Sequence, residues 1–422
     1  MMKLNNHNFP ERNILCVDMK SFYASCAAVK KGLDPLKTPL AVVGDLQREG
    51  SIVLAATPAL KQNYGIQTGS RLFEIPKYEN IIIAPAEMKL YLRMSVEVTR
   101  LFNKYVPKED IHTYSVDESF LAVDQVEKLW GSAEKVAALI LTELKDTFGI
   151  SASIGIGPNM LMAKLCLDLE AKQTGIARWT YADVAEKLWP VKPLSKMWGI
   201  GLQLEKRLNR MGITTVGDLA HTPLKQLEEK FGIMGNQLYY HAHGIDLSKL
   251  GAPILNQQLS YGKSQVLLRD YRTPEEIAVV LLEMSEEVGK RARTKGKVGR
   301  TISLGIKYSK YEGGGGFHRS QTIHPPTNLT LEIHDVCMHL FRKFYSEKTV
   351  RQVSISLSNI SDDQNMQLQL FGYARLRERT IDYTIDAIQR KYGPNTLLRA
   401  ISYTKAGTKR ERNRLIGGHF AE

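Results

Sequence analysis

Short apolar runs that stop at acidic residues mark the first half of the chain. Ile14-Leu15-Cys16-Val17 runs into Asp18, and Tyr114-Ser115-Val116 runs into Asp117-Glu118 about ninety residues later. Between them, Leu40 to Val43, Ile52 to Ala56 and Ile81 to Ala84 are strand-length stretches broken by Gly44, Gly50, Gly65 and Gly69, which predicts a small mixed unit inserted after the first strand. Apolar residues then recur with helical spacing over 87 to 103 and 132 to 148, as in Val136, Leu139, Ile140 and Leu144. A short strand over Ser151 to Gly157 closes on Gly-Pro-Asn and leads into a helix through Leu161, Leu165 and Leu169. This interleaving predicts an α+β unit with helices packed on a sheet face.

Near Trp198-Gly199-Ile200-Gly201 the pattern changes to short helices with glycine turns. Gly199 to Leu202, followed by Glu205 to Gly212, fits a helix-hairpin-helix element, although an ordinary helical turn has the same composition. In the first reading, backbone N–H groups freed at a helix N-terminus bind a phosphate without reading sequence. The polar, proline-containing stretch 251 to 259 predicts a linker. Beyond it, period-two runs at Ser264 to Leu268, Thr301 to Tyr308 and Val353 to Leu357, with a short strand near Arg319 to Ile323, bracket helical runs at Pro274 to Arg293 and Leu329 to Phe344. The order β-α-β-β-α-β predicts a four-stranded sheet with two helices on one face.

A length of 422 residues suits two to four compact units. The net charge of +13 and a pI near 9.3 point to a polyanionic partner, a property shared by ribosome-binding and membrane-surface proteins. Over 260 to 360, 16 Lys and Arg stand against 10 Asp and Glu, with Lys290, Arg291, Arg293, Lys295, Lys297 and Arg300 concentrated before one strand. Such a one-sided cluster is expected to track phosphates, where a solvated helix end is the plainer reading. Met1 to Asn13 lacks the apolar core of a signal peptide and no stretch approaches eighteen apolar residues, so a soluble cytoplasmic protein without membrane association is expected. The four cysteines form no C-x-x-C pair, the histidines give no H-E-x-x-H, and there is no P-loop, which argues against a zinc site and a P-loop ATPase.

A carboxylate at the end of a buried strand is costly unless a positive charge neutralises it, and hard divalent cations do so through oxygen ligands. If Asp18, Asp117 and Glu118 converge, they can hold two magnesium ions about 3.5–4 Å apart, the arrangement of phosphoryl or nucleotidyl transfer. Neighbouring side chains on a regular strand point to opposite faces, so Asp117 and Glu118 share a site only if the chain bends there. The aromatic pair Phe22-Tyr23, with Tyr23 five residues past Asp18, is placed to lie under a sugar ring.

Asp18-Met19-Lys20-Ser21-Phe22-Tyr23, Ser115-Val116-Asp117-Glu118-Ser119 and Ala171-Lys172-Gln173-Thr174-Gly175-Ile176 together resemble, in order and spacing, the Y-family (translesion) DNA polymerases, most closely the UmuC-type bacterial branch. The resemblance covers roughly 12 to 400. It implies an α+β, multidomain right hand: palm at 12–24 and 87–178, fingers at 25–86, thumb at 179–250, linker at 251–259, a βαββαβ little finger at 260–362, and a tail at 363–422. It further implies template-directed DNA synthesis opposite damage, with low fidelity and no proofreading, on primer-template DNA and dNTP. By the same resemblance, two Mg2+ ions would be held by Asp18, Asp117, Glu118 and the Met19 carbonyl, and Phe22, Tyr23, Thr57, Lys61 and Lys172 would meet the nucleotide, Tyr23 as the steric gate. Pro58 stands where the family usually has a tyrosine, which implies an altered grip on the triphosphate. Gly199, Gly201, Arg291, Arg293, Lys295, Lys297 and Arg300 are expected to contact DNA.

Gln367-Leu368-Gln369-Leu370-Phe371 resembles the peptide that docks bacterial polymerases on the sliding clamp (the beta clamp), and a recombinase or other SOS proteins are further partners of the family. A monomer is expected. The rest of the tail, with one helix near Ile381 to Lys391 and a basic end, is expected to be partly disordered. Two other readings share parts of this pattern. A non-catalytic DNA- or clamp-binding regulator has no use for intact Asp18, Asp117 and Glu118, and a nucleotide cyclase on a similar palm needs neither the helix-hairpin-helix nor the basic last domain.

Overall fold

The computed structural model describes residues 9, 11–251, 259–363 and 373–421. The chain divides into two compact units, Met1–Pro253 with His419–Glu422 and Ile254–Gly418. In the first unit the strands are β1 (Ile14–Met19), β2 (Leu40–Val43), β3 (Val53–Ala56), β4 (Ile82–Pro85), β5 (Ile111–Thr113), β6 (Glu118–Ala122), β7 (Ala152–Gly157) and β8 (Ile176–Arg178). They form two sheets, ordered β5-β6-β1-β7-β8 and β3-β2-β4. The central β1 is antiparallel to both neighbours, and its residues Ile14 to Val17 are buried. An unbroken apolar run is what a strand covered on both faces requires.

Gly155 and Gly157 decide how the covering helix sits on this sheet. A Cβ at Gly155 would come within 2.3 Å of the Ala163 carbonyl oxygen, and one at Gly157 within 2.4 Å of the Ala163 nitrogen. Without side chains there, the helix Met160–Cys166 lies directly on β7. It continues as a π-helical turn over Leu167–Ala171 and ends with Lys172–Thr174. Its apolar face shares one core with Ile14 and Cys16 of β1 and with Leu208, Val216, Leu227 and Leu238 of the short helices that follow, Leu202–Asn209, Val216–His221, Leu224–Phe231 and Ile233–Ala242.

The second unit holds the expected β-α-β-β-α-β order. Its strands β9 (Tyr261–Tyr271), β10 (Lys297–Tyr308), β11 (Gly316–Thr327) and β12 (Val350–Asp362) form an antiparallel sheet ordered β11-β10-β12-β9. The helices Pro274–Thr294 and Thr330–Phe344 bury Val280, Met284, Ile333 and Phe341 against Ile302, Leu304 and Ile355 of the sheet. The first helix begins as its sequence dictates: Thr273 and Glu276 form a capping box, with Pro274 in the first turn.

The tail departs from the expectation of partial disorder. The expected helix runs from Tyr373 to Tyr392, and the chain that follows, as far as Gly418, belongs to the same unit. Polar composition misled the reading because this segment is anchored by buried charge pairs rather than by an apolar stripe. Asp382 and Asp386, one turn apart on that helix, take Arg293 between them at 3.0 and 2.7 Å. The Thr408 backbone N–H and hydroxyl donate to Glu283 at 2.9 and 2.8 Å, and Lys409 pairs with Glu286. Arg293, expected to meet DNA, has a side chain only 1% exposed and is committed to this contact. Removing one partner of a buried pair costs about 3–5 kcal/mol. Arg293→Ala should therefore lower the unfolding transition of the second unit by about that amount, measured by chemical denaturation; a shift under about 1 kcal/mol would contradict the buried pairing.

Candidate active site

Cross-strand pairing sets Asp18 of β1 directly opposite Glu118 of β6, so the two carboxylates share a sheet face. Cys16, two residues earlier, lies on that face too, and its thiol donates to Glu118 Oε1 at 3.2 Å. Asp117 sits one residue outside β6, in a tight turn where the Tyr114 and Ser115 N–H groups both donate to the Glu118 carbonyl at 3.0 Å. This is the bend that strand alternation demanded. The Met19 N–H donates to the Asp117 carbonyl at 3.0 Å, and the Ser115 hydroxyl donates to Asp117 Oδ1 at 2.7 Å.

Two lysines carried by the helix on β7 answer these carboxylates. Lys172 Nζ lies 3.0 Å from Asp18 Oδ2 and 2.8 Å from Asp168 Oδ1. Lys164 Nζ lies 2.7 Å from Glu118 Oε1 and 3.2 Å from Asp168 Oδ2. Burial raises the Asp18 carboxyl above its ordinary range; Lys172 opposes that shift, while Asp117 and Glu118 add to it. Burial works against the Lys172 ammonium, but its bonds to Asp168 and Asp18 outweigh burial and hold it above the usual lysine range. The same balance raises Lys164, through Glu118 and Asp168. The Cys16 thiol is pushed well up, first by burial and then by Glu118, which keeps it a donor.

The donors at the strand ends, the carboxylates of Asp18, Asp117 and Glu118 with the Met19 carbonyl, are all oxygens, the set that hard divalent cations take. In this arrangement Asp18 and Glu118 pair with the Lys172 and Lys164 ammonium groups. Among the described residues, no three His, Cys, Asp or Glu side chains are gathered closely enough to hold an ion.

A cleft of about 890 Å³ opens over this floor, lined by Asp18, Asp117 and Lys172 below, by Phe22 and Tyr23 at one side, and by Ala55, Pro58, Lys61 and Thr68 from the β2–β4 unit. Phe22 is buried, whereas Tyr23 is half-buried and stacks on Tyr91 with ring centroids 4.3 Å apart. Lys61 donates to the Ser21 hydroxyl at 2.9 Å, and burial pulls its ammonium below the ordinary lysine range. Ser21 itself is held at φ 50°, a left-handed conformation that costs a non-glycine residue energy and recurs at functional sites.

Thr57 is not placed for the expected nucleotide contact. Its side chain is buried and its hydroxyl donates to the Thr38 carbonyl at 2.7 Å; the oxygen accepts from the Leu60 N–H at 3.4 Å, which caps the helix Pro58–Tyr64, and from the Leu40 N–H at 2.9 Å, which ties it to β2. Gly199, at φ 93°, and Gly201 precede the helix Leu202–Asn209, and both are exposed. In the second unit Arg291 pairs with Glu287 and Lys297 with Asp362, and Lys297 and Arg300 lie within β10 rather than before it. Arg300 and Lys295 are exposed. Gln367 to Phe371 lies outside the described residues.

Sequence reasoning missed Lys164, Asp168, Ser21 and Tyr91. Lys164, Asp168 and Lys172 recur every fourth residue on one helical run, a signal that was available. Ser21 and Tyr91 gave none.

The chain is similar to known proteins along most of its length. Residues 17–168 match the impB/mucB/samB family, 258–370 match that family's C-terminal domain, and 195–246 match the thumb domain of DNA polymerase-iota. A Bacillus subtilis (strain 168) protein provisionally named UV-damage repair protein UvrX is 59% identical over 413 residues, 97% of this chain and 98% of its own length. DNA polymerase IV 2 of the same organism is 37% identical over 418 residues, covering 97% and 99%. The solved chimera of the Y-family DNA polymerases Dbh and Dpo4 superposes with a TM-score of 0.65 at 20% identity, covering 82% of this chain and 99% of that one. The matched domains and relatives thus define a nucleotidyltransferase of the DNA polymerase class, with the right-hand fold. Within that class the chain belongs to the Y-family, the translesion polymerases, and is a DNA-directed DNA polymerase whose substrates are primer-template DNA and deoxynucleoside triphosphates.

Proposed function

We propose that this polymerase extends primers across damaged template positions, with low fidelity and without proofreading, in DNA repair. The observation that carries this reading is that Asp18 and Asp117 both line the cleft, with Glu118 directly across the strands from Asp18. These oxygens and the Met19 carbonyl would hold two Mg2+ ions, which supply activation of the primer 3′-hydroxyl and stabilisation of the departing phosphate. Lys172 lies 3.0 Å from Asp18, so one turn of its flexible stem brings its ammonium to a triphosphate in the cleft. Lys61 faces the same space from the other wall, and with Pro58 beside it offers charge where a phenol is missing. Tyr23, braced by Tyr91, closes the cleft against a 2′-hydroxyl. Small side chains at Ala55 and Thr68 leave the nascent base pair loosely enclosed, which favours tolerance of damaged bases.

The exposed Gly199 and Gly201 before a helix N-terminus suit duplex phosphates, as do the exposed Lys295 and Arg300 in the second unit. A template with one abasic site tests the damage reading: primers should be extended past it, and a mismatched primer end should not be degraded. Stalling at the abasic site, or removal of the mismatch, would overturn it.

Gln367 to Phe371 supports recruitment by a sliding clamp, with Leu370 and Phe371 as apolar anchors. Truncating both to alanine should cost on the order of 2–4 kcal/mol of clamp binding and leave clamp-free synthesis intact. Equal clamp affinity of the two proteins, or equal loss of synthesis with and without clamp, would place recruitment elsewhere.

A further inference from the structure

We propose that Asp168 is a positioning residue that holds the Lys172 ammonium over the cleft, from a π-helical turn whose phase the sheet fixes. The inference rests on the polymerase reading. Five charged side chains alternate in sign across the site, Asp18, Lys172, Asp168, Lys164 and Glu118, each within 3.2 Å of the next. Asp168 is the central member. It reaches both lysines and neither strand-end carboxylate, so it serves the ammonium groups and not the floor itself.

Lys172 needs such a support. Its side chain is 46% exposed, and a four-carbon stem at that exposure samples many rotamers that a triphosphate would have to freeze. A bond of 2.8 Å to a carboxylate four residues back pre-orders it. When the Asp18 carboxylate is engaged by other charge, Lys172 gives up that bond and keeps the one to Asp168, so the ammonium remains aimed at the cleft. An unbalanced carboxylate beside a triphosphate would repel it. Lys164, with a side chain only 10% exposed, balances Asp168 and Glu118 together and removes that objection.

The backbone is built to keep this relation. The π-helical turn Leu167–Ala171 takes up one residue more than an α-helical turn, between the part of the helix that carries Lys164 and the part that carries Lys172. Gly155 presses that turn onto β7, where an added Cβ would come within 2.3 Å of the Leu167 nitrogen. The turn is in close contact with the strand there, and both lysines reach the one carboxylate.

The test is single-nucleotide incorporation by the full-length protein on primer-template DNA, for wild type, Asp168→Ala, Asp168→Asn, Asp168→Glu, Lys172→Ala and the Asp168→Ala, Lys172→Ala double variant. Asp168→Ala and Asp168→Asn should raise KM for the incoming nucleotide about tenfold and change kcat by less than about threefold, with Asp168→Glu recovering part of the loss. In the Lys172→Ala background the same Asp168→Ala change should cost less than about twofold, because the group it positions is gone. A full tenfold loss in both backgrounds would mean that Asp168 acts only on folding or on Lys164, and an unchanged KM would also overturn the proposal. Asp168→Asn preserves shape and carries the test where the alanine variant fails to fold. A wild type that incorporates nothing overturns the polymerase reading and this inference together, whereas an active wild type with additive losses overturns this inference alone.

Discussion

Alanine at Asp117 or at Glu118 abolishes primer extension, with an expected rate loss of at least about a thousandfold, while affinity for primer-template DNA changes little. The reason is local. Asp117 lines the cleft and Glu118 pairs across the strands with Asp18, whereas the phosphate contacts expected of Gly199, Gly201, Lys295 and Arg300 lie on other elements. The two variants should differ in stability. Glu118 holds Lys164, which is nearly buried, so Glu118→Ala leaves that ammonium with Asp168 as its remaining partner, and Glu118→Gln is the better probe of chemistry. Asp117 accepts a hydrogen bond from Ser115 in an accessible turn, and its loss should leave the fold intact. The comparison is made by single-turnover extension and by DNA-binding titration on the same preparations. Near wild-type extension by both variants would remove the carboxylates from the chemistry.

Tyr23→Ala should raise ribonucleotide incorporation relative to deoxyribonucleotide by on the order of 100-fold, with deoxyribonucleotide use within about threefold of wild type. The ring projects from the first turn of the helix Phe22–Lys30 into the cleft, and its stack on the buried Tyr91 stops it from swinging away. A gate that cannot move excludes by sterics alone. Tyr23→Phe should therefore retain sugar selectivity, since the excluding bulk is the ring and not the phenol. Separate kinetics with matched ribo- and deoxyribonucleotides check this, and unchanged selectivity in Tyr23→Ala would make the residue plain core.

The parts of the fold that were legible in the sequence are those governed by short-range periodicity. Alternation in Val353 to Leu357 and helical spacing in Pro274 to Arg293 reflect one buried face each, and both elements are present. The carboxylates were legible because an acidic residue ending an apolar run is anomalous wherever it occurs. What stayed hidden depends on pairs far apart in the chain. Nothing near Arg293 announces that Asp382 and Asp386, 89 and 93 residues later, will bury it, so an apparent DNA-binding cation proved to be an anchor for the tail. Thr57 was ambiguous for another reason: a threonine before a proline at a helix start is a good cap in any protein, and here its hydroxyl is consumed by that role. Asp168 was overlooked because a charge every fourth residue usually describes a solvated helix face, whereas here both neighbouring lysines pair with strand-end carboxylates far away in the chain.

The most direct measurement of the central claim is extension of a labelled primer by the purified wild-type protein, with each deoxynucleotide supplied singly on four templates that differ at one position, in the presence of Mg2+ and again after its chelation. The expected result is addition of mainly the complementary nucleotide on each template, only with the metal present, and none by Asp18→Ala. Addition without regard to the template, or undiminished addition by Asp18→Ala, would contradict it.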